Sequence, residues 1–263
     1  MAKKATQKPS KTKESEGVAI INAAEFVRYA DYLQCVIETS PKRRKGERTR
    51  DMLKLGAIRV LDEMGYHAMR VSDICASAGV AVATFYIYFE NKEEITRVVL
   101  SEYLEAAFEM MALQPSQPTP FLTIFASHRK WLEVIQSNAG LMRCILQLGD
   151  EVEEFRDIAH AANHRWYQRI ARALVRERKS QALPIEVALF VSYALGSMMD
   201  ELARKLVIHP DPALVALAGD IAPTPDILCE LLAVIWHHAL YGPIPEMGHL
   251  APASVRLAAL VRG

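Results

Sequence analysis

Cysteine, enzyme motifs and long apolar runs are all scarce in this sequence. Its four cysteines, at positions 35, 75, 144 and 229, have no close spacing, which argues against a disulfide framework or a zinc module. No window holds 18 uninterrupted apolar residues, so no membrane-spanning helix is predicted. The basic start lacks a clean apolar signal core, and a soluble cytoplasmic protein is therefore expected.

Recognisable catalytic motifs are also missing. The sequence contains no glycine-rich phosphate loop, no Gly-x-Ser-x-Gly turn and no His-Glu-x-x-His metal motif. His160 and His164 share a helix face at a spacing of four, but no Glu-x-x-His or Cys companion completes a metal site. These histidines are expected to be solvated or in the core, and no enzyme activity, cofactor or metal is predicted.

The charges are unevenly distributed, although the net charge is zero. Residues 1–50 carry 12 Lys and Arg against 6 Asp and Glu, whereas residues 51–263 carry 19 against 25. A basic end suggests contact with a polyanion, although a basic tail is often only a solvated arm. The apolar share of 51% is enough to build a core.

Apolar residues recur at helical spacing through most of the chain, and no Asn-Gly turn is present. This pattern predicts an all-α fold. The predicted organisation is a basic arm, an extra amphipathic helix over 18–38 and a basic linker within 1–45, a DNA-binding domain over 46–95, and a helical domain over 96–263. Helices are predicted over 47–64, 71–78, 82–88, 92–113, 121–137, 139–148, 151–178, 184–207 and 225–241.

The most informative stretch runs from residue 48 to residue 94, where tight turns separate three short helices. Gly65 is expected to end the first helix and Gly79 to make the turn between the second and the third. Phe85 and Phe89 would anchor the third helix to the core. Its other face is then free to enter a major groove, which is the geometry of a helix-turn-helix.

The segment VSDICASAGVAVATFYIYFENKEEI, residues 71–95, resembles the DNA-binding signature of the tetracycline-repressor (TetR) family. The resemblance implies that Thr84, Tyr86, Tyr88 and Lys92 contact DNA phosphates, and each offers a hydroxyl or ammonium donor for this role. The two tyrosines could instead be core aromatics, and Lys92 could be solvated. Asn91 is expected to cap the helix that begins at Lys92.

The sequence departs from the family at Arg70 and Ala81, where capping residues are usual, and at Ala83, where Gly is common. Ala81, Val82 and Ala83 can touch thymine methyl groups but cannot form side-chain hydrogen bonds with bases. This helix should therefore discriminate between bases only weakly by direct contact. Sequence preference would then depend on Arg48, Arg50, the basic linker or DNA deformability. Arg48 and Arg50 could also belong to an ordinary solvated linker.

The remaining helices are expected to hold a dimer interface and a ligand pocket. The segments 184–207 and 225–241 are apolar on more than one face, and the resemblance implies that two such helices of each subunit pair in a homodimer. The candidates for a pocket are large or adaptable side chains, with the core as the alternative for each: Trp131, Met142, Arg143, Trp166, Tyr167, Met198, Met199 and Trp236. Arg143 needs a partner if it points inward, which could be a ligand carboxylate, a Glu or solvent.

The predicted function is that of a homodimeric repressor on double-stranded operator DNA, released by a small, largely apolar effector. The alternative is a DNA-binding protein without an effector, or one controlled by a partner protein through the 18–38 helix. That helix could also cover the DNA-binding domain, swap onto the other subunit or add DNA contacts. The sequence leaves these roles open.

Overall fold

The computed structural model describes residues 21–39, 44–111, 117–177, 183–242 and 248–260, and every regular element in these ranges is helical. The all-α prediction is therefore confirmed. The arm over residues 1–16 and the linker residues Lys42 and Arg43 lie outside the described ranges. In chain order the helices are α1 Tyr29–Thr39, α2 Lys45–Ala68, α3 Val71–Ala78, α4 Val82–Tyr88, α5 Lys92–Met110, α6 Pro120–Ser137, α7 Ala139–Glu151, α8 Glu153–Glu177, α9 Ile185–Ala203, α10 Pro212–Ile221, α11 Pro225–Tyr241 and α12 Pro252–Leu260.

The prediction of one continuous helix over 18–38 is wrong within the described residues. A short 3₁₀ turn over Ala23–Glu25 is followed by extended backbone at Phe26, and α1 begins only at Tyr29. The Phe26 carbonyl accepts from Lys130 Nζ at 3.2 Å, and the Val27 carbonyl accepts from Asn138 Nδ2 at 2.6 Å. Bonds to distant residues thus satisfy backbone carbonyls in the stretch where the helix is interrupted.

The sequence-based prediction also missed two helices and did not anticipate a change of helix type in a third. Asp211 caps α10 by accepting from the Ala213 and Leu214 backbone N–H groups, so the Asp211-Pro212 pair was a usable start signal. The second missed helix is α12. The segment predicted over 184–207 is α-helical only to Ala203 and continues as a π-helical turn over Arg204–Ile208.

The main core lies between the N-terminal segment, α2, α3, α4, α5 and α7, with one side chain from α8. It therefore includes side chains on both sides of residue 95, where the sequence reading placed a domain boundary. Leu53 and Phe85 come from the N-terminal side, and Tyr103 and Leu141 from the C-terminal side; all four are fully buried. A shared core links the position of α2 to that of α5 and α7.

Smaller apolar clusters connect α6, α9, α11 and α12. Seven of the 17 residues of α11 are buried within the subunit, including Leu231, Leu232 and Trp236, and none of its large apolar side chains is exposed. In contrast, α9 leaves Val187 and Phe190 exposed. Across the described parts of the chain, no single helix is long and apolar enough to span a bilayer; α3 and α4 meet that test only as a bent pair.

Candidate DNA-binding and ligand sites

The first part of the candidate DNA interface is the start of α2. Arg44, Lys45 and Arg48 are exposed there, which gives one end of the helix a positive surface. Arg50 is half-buried, and its guanidinium lies 5.1 Å from the centre of the Phe89 ring. This cation–π contact joins the basic start of α2 to an anchor residue next to α4.

The turn between α3 and α4 has the geometry that the sequence indicated. Gly79 adopts φ +65° and ψ +35°, a left-handed conformation that a glycine accepts without strain. The chain direction changes by 100° between the two helices. Arg70 does not cap α3 as a Thr would, but the Asp73 carboxylate accepts from the Arg70 backbone N–H at 2.9 Å. No side-chain hydrogen bond caps α4 at Ala81.

The side chains of α4 divide into a buried and an exposed face. Phe85 and the following Phe89 are buried, as expected of anchors. The exposed face carries Ala81, Val82, Ala83, Tyr86 and Ile87. Ile87 is 75% exposed and was not among the predicted contacts, although it lies four residues after Ala83 and so shares its face. The exposed edge is therefore even more apolar than the sequence reading proposed.

Thr84 and Tyr88 lie at the border of that face, and both are half-buried. Tyr88 also packs against the main core, with its hydroxyl near Gly46 of α2. Tyr86 is 59% exposed and meets the Phe85 ring edge-on. The structure therefore leaves Tyr86 accessible to a phosphate, whereas the ring of Tyr88 packs against the main core.

Lys92 has a structural role that the sequence did not indicate. Its ammonium donates to the Tyr66 and Met69 carbonyls, both at 3.2 Å, and lies 4.5 Å from the centre of the Tyr66 ring. Because a lysine has three N–H donors, these bonds leave at most one for a phosphate. Asn91 caps the same helix start, since its Oδ1 accepts from the Glu94 N–H at 2.8 Å.

Residues 22–39, here called the N-terminal brace, connect the DNA-binding helices to the rest of the chain. Asn138, 1% exposed at the junction of α6 and α7, accepts from the Tyr29 N–H at 2.8 Å and donates to the Val27 carbonyl. Arg28 forms an ion pair with Asp62 of α2.

Contacts with the Glu102 carboxylate also connect the brace and α2 to α5. The Tyr29 hydroxyl donates to Glu102 of α5 at 3.3 Å, and burial beside this carboxylate raises the pKa of Tyr29 above its ordinary value. Lys54 of α2 contacts both Glu102 and Asp51 at 2.8 Å. In this structure the brace therefore packs against α2 and α5 of its own chain.

A cavity of about 140 Å³ lies between α6, α8, α9 and α11. Of the predicted ligand contacts, the structure brings Trp131, Trp166, Tyr167, Met199 and Trp236 together in its walls. The remaining candidates lie elsewhere. Met142 packs against the main core, Met198 packs against a smaller cluster, and Arg143 Nε donates to the Ile208 carbonyl at 3.4 Å.

Sequence reasoning missed His128 and Asp200, which also line this cavity. Burial lowers the pKa of His128 to about 4, with the Cys229 carbonyl opposing the shift. Asp200 accepts a hydrogen bond from the Tyr167 hydroxyl. Gly196 makes this contact possible, because a side chain there would overlap the Tyr167 ring. An Asp directly after the uncharged run from Val187 to Met199 was the available signal for this position.

The two histidines considered for a metal are not arranged as ligands. His160 is exposed, and both ring nitrogens of His164 have protein partners, Tyr193 at 2.6 Å and Gln168 at 2.8 Å. Within the ranges that the structure describes, no group of three or more His, Cys, Asp or Glu could hold a metal ion.

Comparisons with known sequences agree with this geometry. The sequence model described as "Bacterial regulatory proteins, tetR family" matches residues 55–99, which include α3 and α4. The HTH-type transcriptional regulator EthR of Mycolicibacterium smegmatis is 22% identical over 197 residues, which cover 72% of this chain and 84% of that protein. The fatty acid metabolism regulator protein of Bacillus subtilis is 44% identical over 55 residues, which cover 21% of this chain and 28% of that protein.

Two solved structures share the fold. A TetR-family transcriptional regulator from Syntrophomonas wolfei aligns over 76% of this chain and 99% of its own, with a TM-score of 0.56 and 16% identity. A transcriptional regulator from Saccharomonospora viridis, solved in complex with choline, aligns over 73% of this chain and 97% of its own, with a TM-score of 0.55 and 19% identity. The likeness extends beyond the helix-turn-helix to the C-terminal helices.

Proposed function

We propose that the chain is a transcriptional regulator of the TetR family, whose sequence model matches residues 55–99, and that it acts as a homodimeric repressor whose operator binding is controlled by a small, largely apolar effector. The main support for this proposal is that α4 has one buried and one exposed face. Phe85 anchors it in a core shared with α5 and α7, while Val82, Tyr86 and Ile87 are exposed. A short, firmly anchored helix with one free face suits insertion into a major groove.

The proposed DNA contacts fall into two groups. Arg48, Thr84 and Tyr86 supply donors to phosphates, and phosphate contacts set the position of a protein on the duplex without reading its sequence. Ala81, Val82, Ala83 and Ile87 supply apolar contacts to thymine methyl groups. With no hydrogen-bonding side chain at these positions, sequence preference depends strongly on DNA shape.

The dimer is proposed to form through the exposed apolar side chains of the late helices. On α9 these include Val187 and Phe190, the latter 75% exposed, and on α10 they include Leu217 and Ile221. Exposed apolar patches of this kind mark interaction surfaces. Since α11 leaves none of its large apolar side chains exposed, we assign the interface chiefly to α9 and α10, rather than equally to α9 and α11.

The effector is proposed to occupy the cavity between α6, α8, α9 and α11. Trp166 in its wall meets Phe108 of α5 edge-on, with ring centres 5.5 Å apart. Met111, directly after α5, also lines the cavity. Because α5 begins just after α4, a shift of the cavity wall reaches the DNA-binding helices through one rigid element. Near-complete release needs differential binding of about 5 kcal/mol between the two arrangements.

The N-terminal brace provides a second proposed route, since it contacts α6 and α7 on one side and α2 on the other. We expect Asn138→Ala to lower the free energy of unfolding by at least about 2 kcal/mol, because the Tyr29 N–H and the Val27 carbonyl lose a buried partner at about 1–3 kcal/mol each. Chemical denaturation measures the loss. Amide exchange should also accelerate in the brace and at the end of α2.

Asn163→Ala is the matched control, because Asn163 lies exposed on α8 and surface changes cost at most about 0.5 kcal/mol. Equal stability of the two variants would contradict the proposed role of Asn138.

The proposed function is tested by selecting bound DNA from genomic fragments with the purified protein. We expect one or a few sites with two-fold related halves, and a shifted preference for Val82→Arg, because arginine reads guanine where valine cannot. Arg172→Gln on α8 serves as a control that should select the same sites as the unmodified protein. Selection of no defined site would overturn the proposal, while an unchanged preference for Val82→Arg would show that this position does not face the bases.

A further inference from the structure

The walls of the cavity between α6, α8, α9 and α11 are unusually aromatic. Aromatic rings line it from α6, α8 and α11, and α9 contributes the side chain of Asp200 instead. The aromatic residues that line it are Trp131, Trp166, Tyr167, Trp236 and Tyr241. Aromatic faces carry negative partial charge and attract cations placed over them, with tryptophan the most effective.

The charges in the lining all have one sign. Asp200 contributes the carboxyl group, and no Lys or Arg is among the lining residues that the structure describes. Burial raises the pKa of Asp200, while the hydrogen bond from Tyr167 opposes that shift, and a bound cation would favour the ionised form. His128 adds no positive charge at neutral pH, because burial lowers its pKa to about 4. Outside the lining, Arg204, the first residue after α9, is held by Glu201 at 2.6 and 2.7 Å. The Arg169 guanidinium of α8 lies 4.9 Å from the centre of the Phe108 ring and 5.8 Å from that of the Trp166 ring.

The carboxylate of Asp200 is also held in place. The Tyr167 hydroxyl donates to it, and burial together with the negative charge of Asp200 raises the pKa of this phenol, so Tyr167 remains a neutral donor. Gly196 leaves the space through which the Tyr167 ring reaches Asp200. A fixed carboxylate beside aromatic walls is an arrangement suited to a positive charge with apolar substituents.

We propose that this cavity binds a small monocation with an apolar surface, such as an alkylated ammonium. The proposal rests on the proposed function and specifies its effector: the apolar surface meets the tryptophan walls, and the charge is balanced by Asp200. The volume of about 140 Å³ is close to that of an engineered cavity of about 150 Å³ that accepts benzene. It therefore suits a ligand of few heavy atoms.

Two probes of equal shape and size show how much of the affinity depends on the positive charge of the ligand. Choline and 3,3-dimethyl-1-butanol differ in that a quaternary nitrogen replaces a quaternary carbon. Isothermal titration of the full-length protein should give choline at least about tenfold tighter binding than the alcohol, because only choline gains the cation–π and carboxylate interactions. Asp200→Asn should remove most of that difference and leave binding of the alcohol unchanged. Asp157→Asn removes an equal charge from an exposed position on α8 that does not line the cavity and should leave choline binding unchanged.

Three results would overturn the proposal: equal affinity for the two probes, choline binding that is insensitive to Asp200→Asn, or no choline binding at millimolar concentration. Operator binding is measured separately without either probe. Site-specific DNA binding without choline binding overturns the cation site alone, whereas the absence of site-specific DNA binding overturns the proposed function alone. Choline binding that fails to release the operator supports the cation site and contradicts its role as the effector site.

Discussion

Operator affinity should fall by about 10³-fold when the salt concentration rises from about 50 to about 200 mM. Each subunit exposes Arg44, Lys45 and Arg48 at the start of α2, so a dimer neutralises about six phosphates through these side chains. At a slope of about −0.9 per phosphate, a fourfold rise in salt costs about three orders of magnitude. Contributions from Arg50 and Lys92 would increase the loss to about 10⁵-fold.

Fluorescence anisotropy of labelled operator DNA over a salt series measures this slope. Arg48→Gln should reduce the slope of the dimer by about two, because each of the two subunits then neutralises one phosphate fewer. Arg172→Gln, an equal loss of charge at an exposed position on α8, should leave the slope unchanged. A nearly flat salt profile of the unmodified protein would contradict a binding mode based on phosphate contacts.

A large effect of a single methyl group is expected at Gly56, where α2 and α3 approach closely. A Cβ atom there would lie 2.7 Å from the Ile74 carbonyl oxygen and 3.0 Å from the Ala78 Cβ. Backbone cannot move aside as a flexible side chain can, so the clash should cost about 1–3 kcal/mol. Alanine returns about 1 kcal/mol of helix propensity, so we expect Gly56→Ala to lower the free energy of unfolding by up to about 2 kcal/mol.

Gly149→Ala in α7 is the matched control. Its Cβ would meet nothing closer than the Arg156 Cα at 3.7 Å, an ordinary contact, so this variant should gain up to about 1 kcal/mol. Chemical denaturation of both variants gives the comparison. Because α3 sets the position of α4, folded Gly56→Ala should also bind the operator more weakly. A Gly56→Ala protein as stable as the unmodified one would show that α3 shifts without cost.

Local sequence patterns were reliable where a structure depends on neighbouring residues. Gly79 adopts the left-handed turn, Phe85 and Phe89 are buried, and α11 spans the predicted residues 225–241. The turn and the bounds of α11 depend on interactions within a few turns of helix, and the burial of Phe85 and Phe89 follows from their apolar spacing in and directly after α4. The failure over 18–38 has the opposite cause, because the backbone at Phe26 and Val27 bonds to residues more than 100 positions away. The periodicity of apolar residues along the sequence gives no information about such distant partners.

The helix-turn-helix, the all-helical class and the apolar edge of α4 were determined by the sequence itself, because helical spacing, glycine turns and side-chain chemistry act over short distances. The tertiary structure alone decided which tryptophans share a cavity, that Asp200 joins them, and that Lys92 bonds to the end of α2. Spacing shows which residues of a helix point inward. Only packing decides which other helix they meet, because that depends on the combined shapes of all the faces.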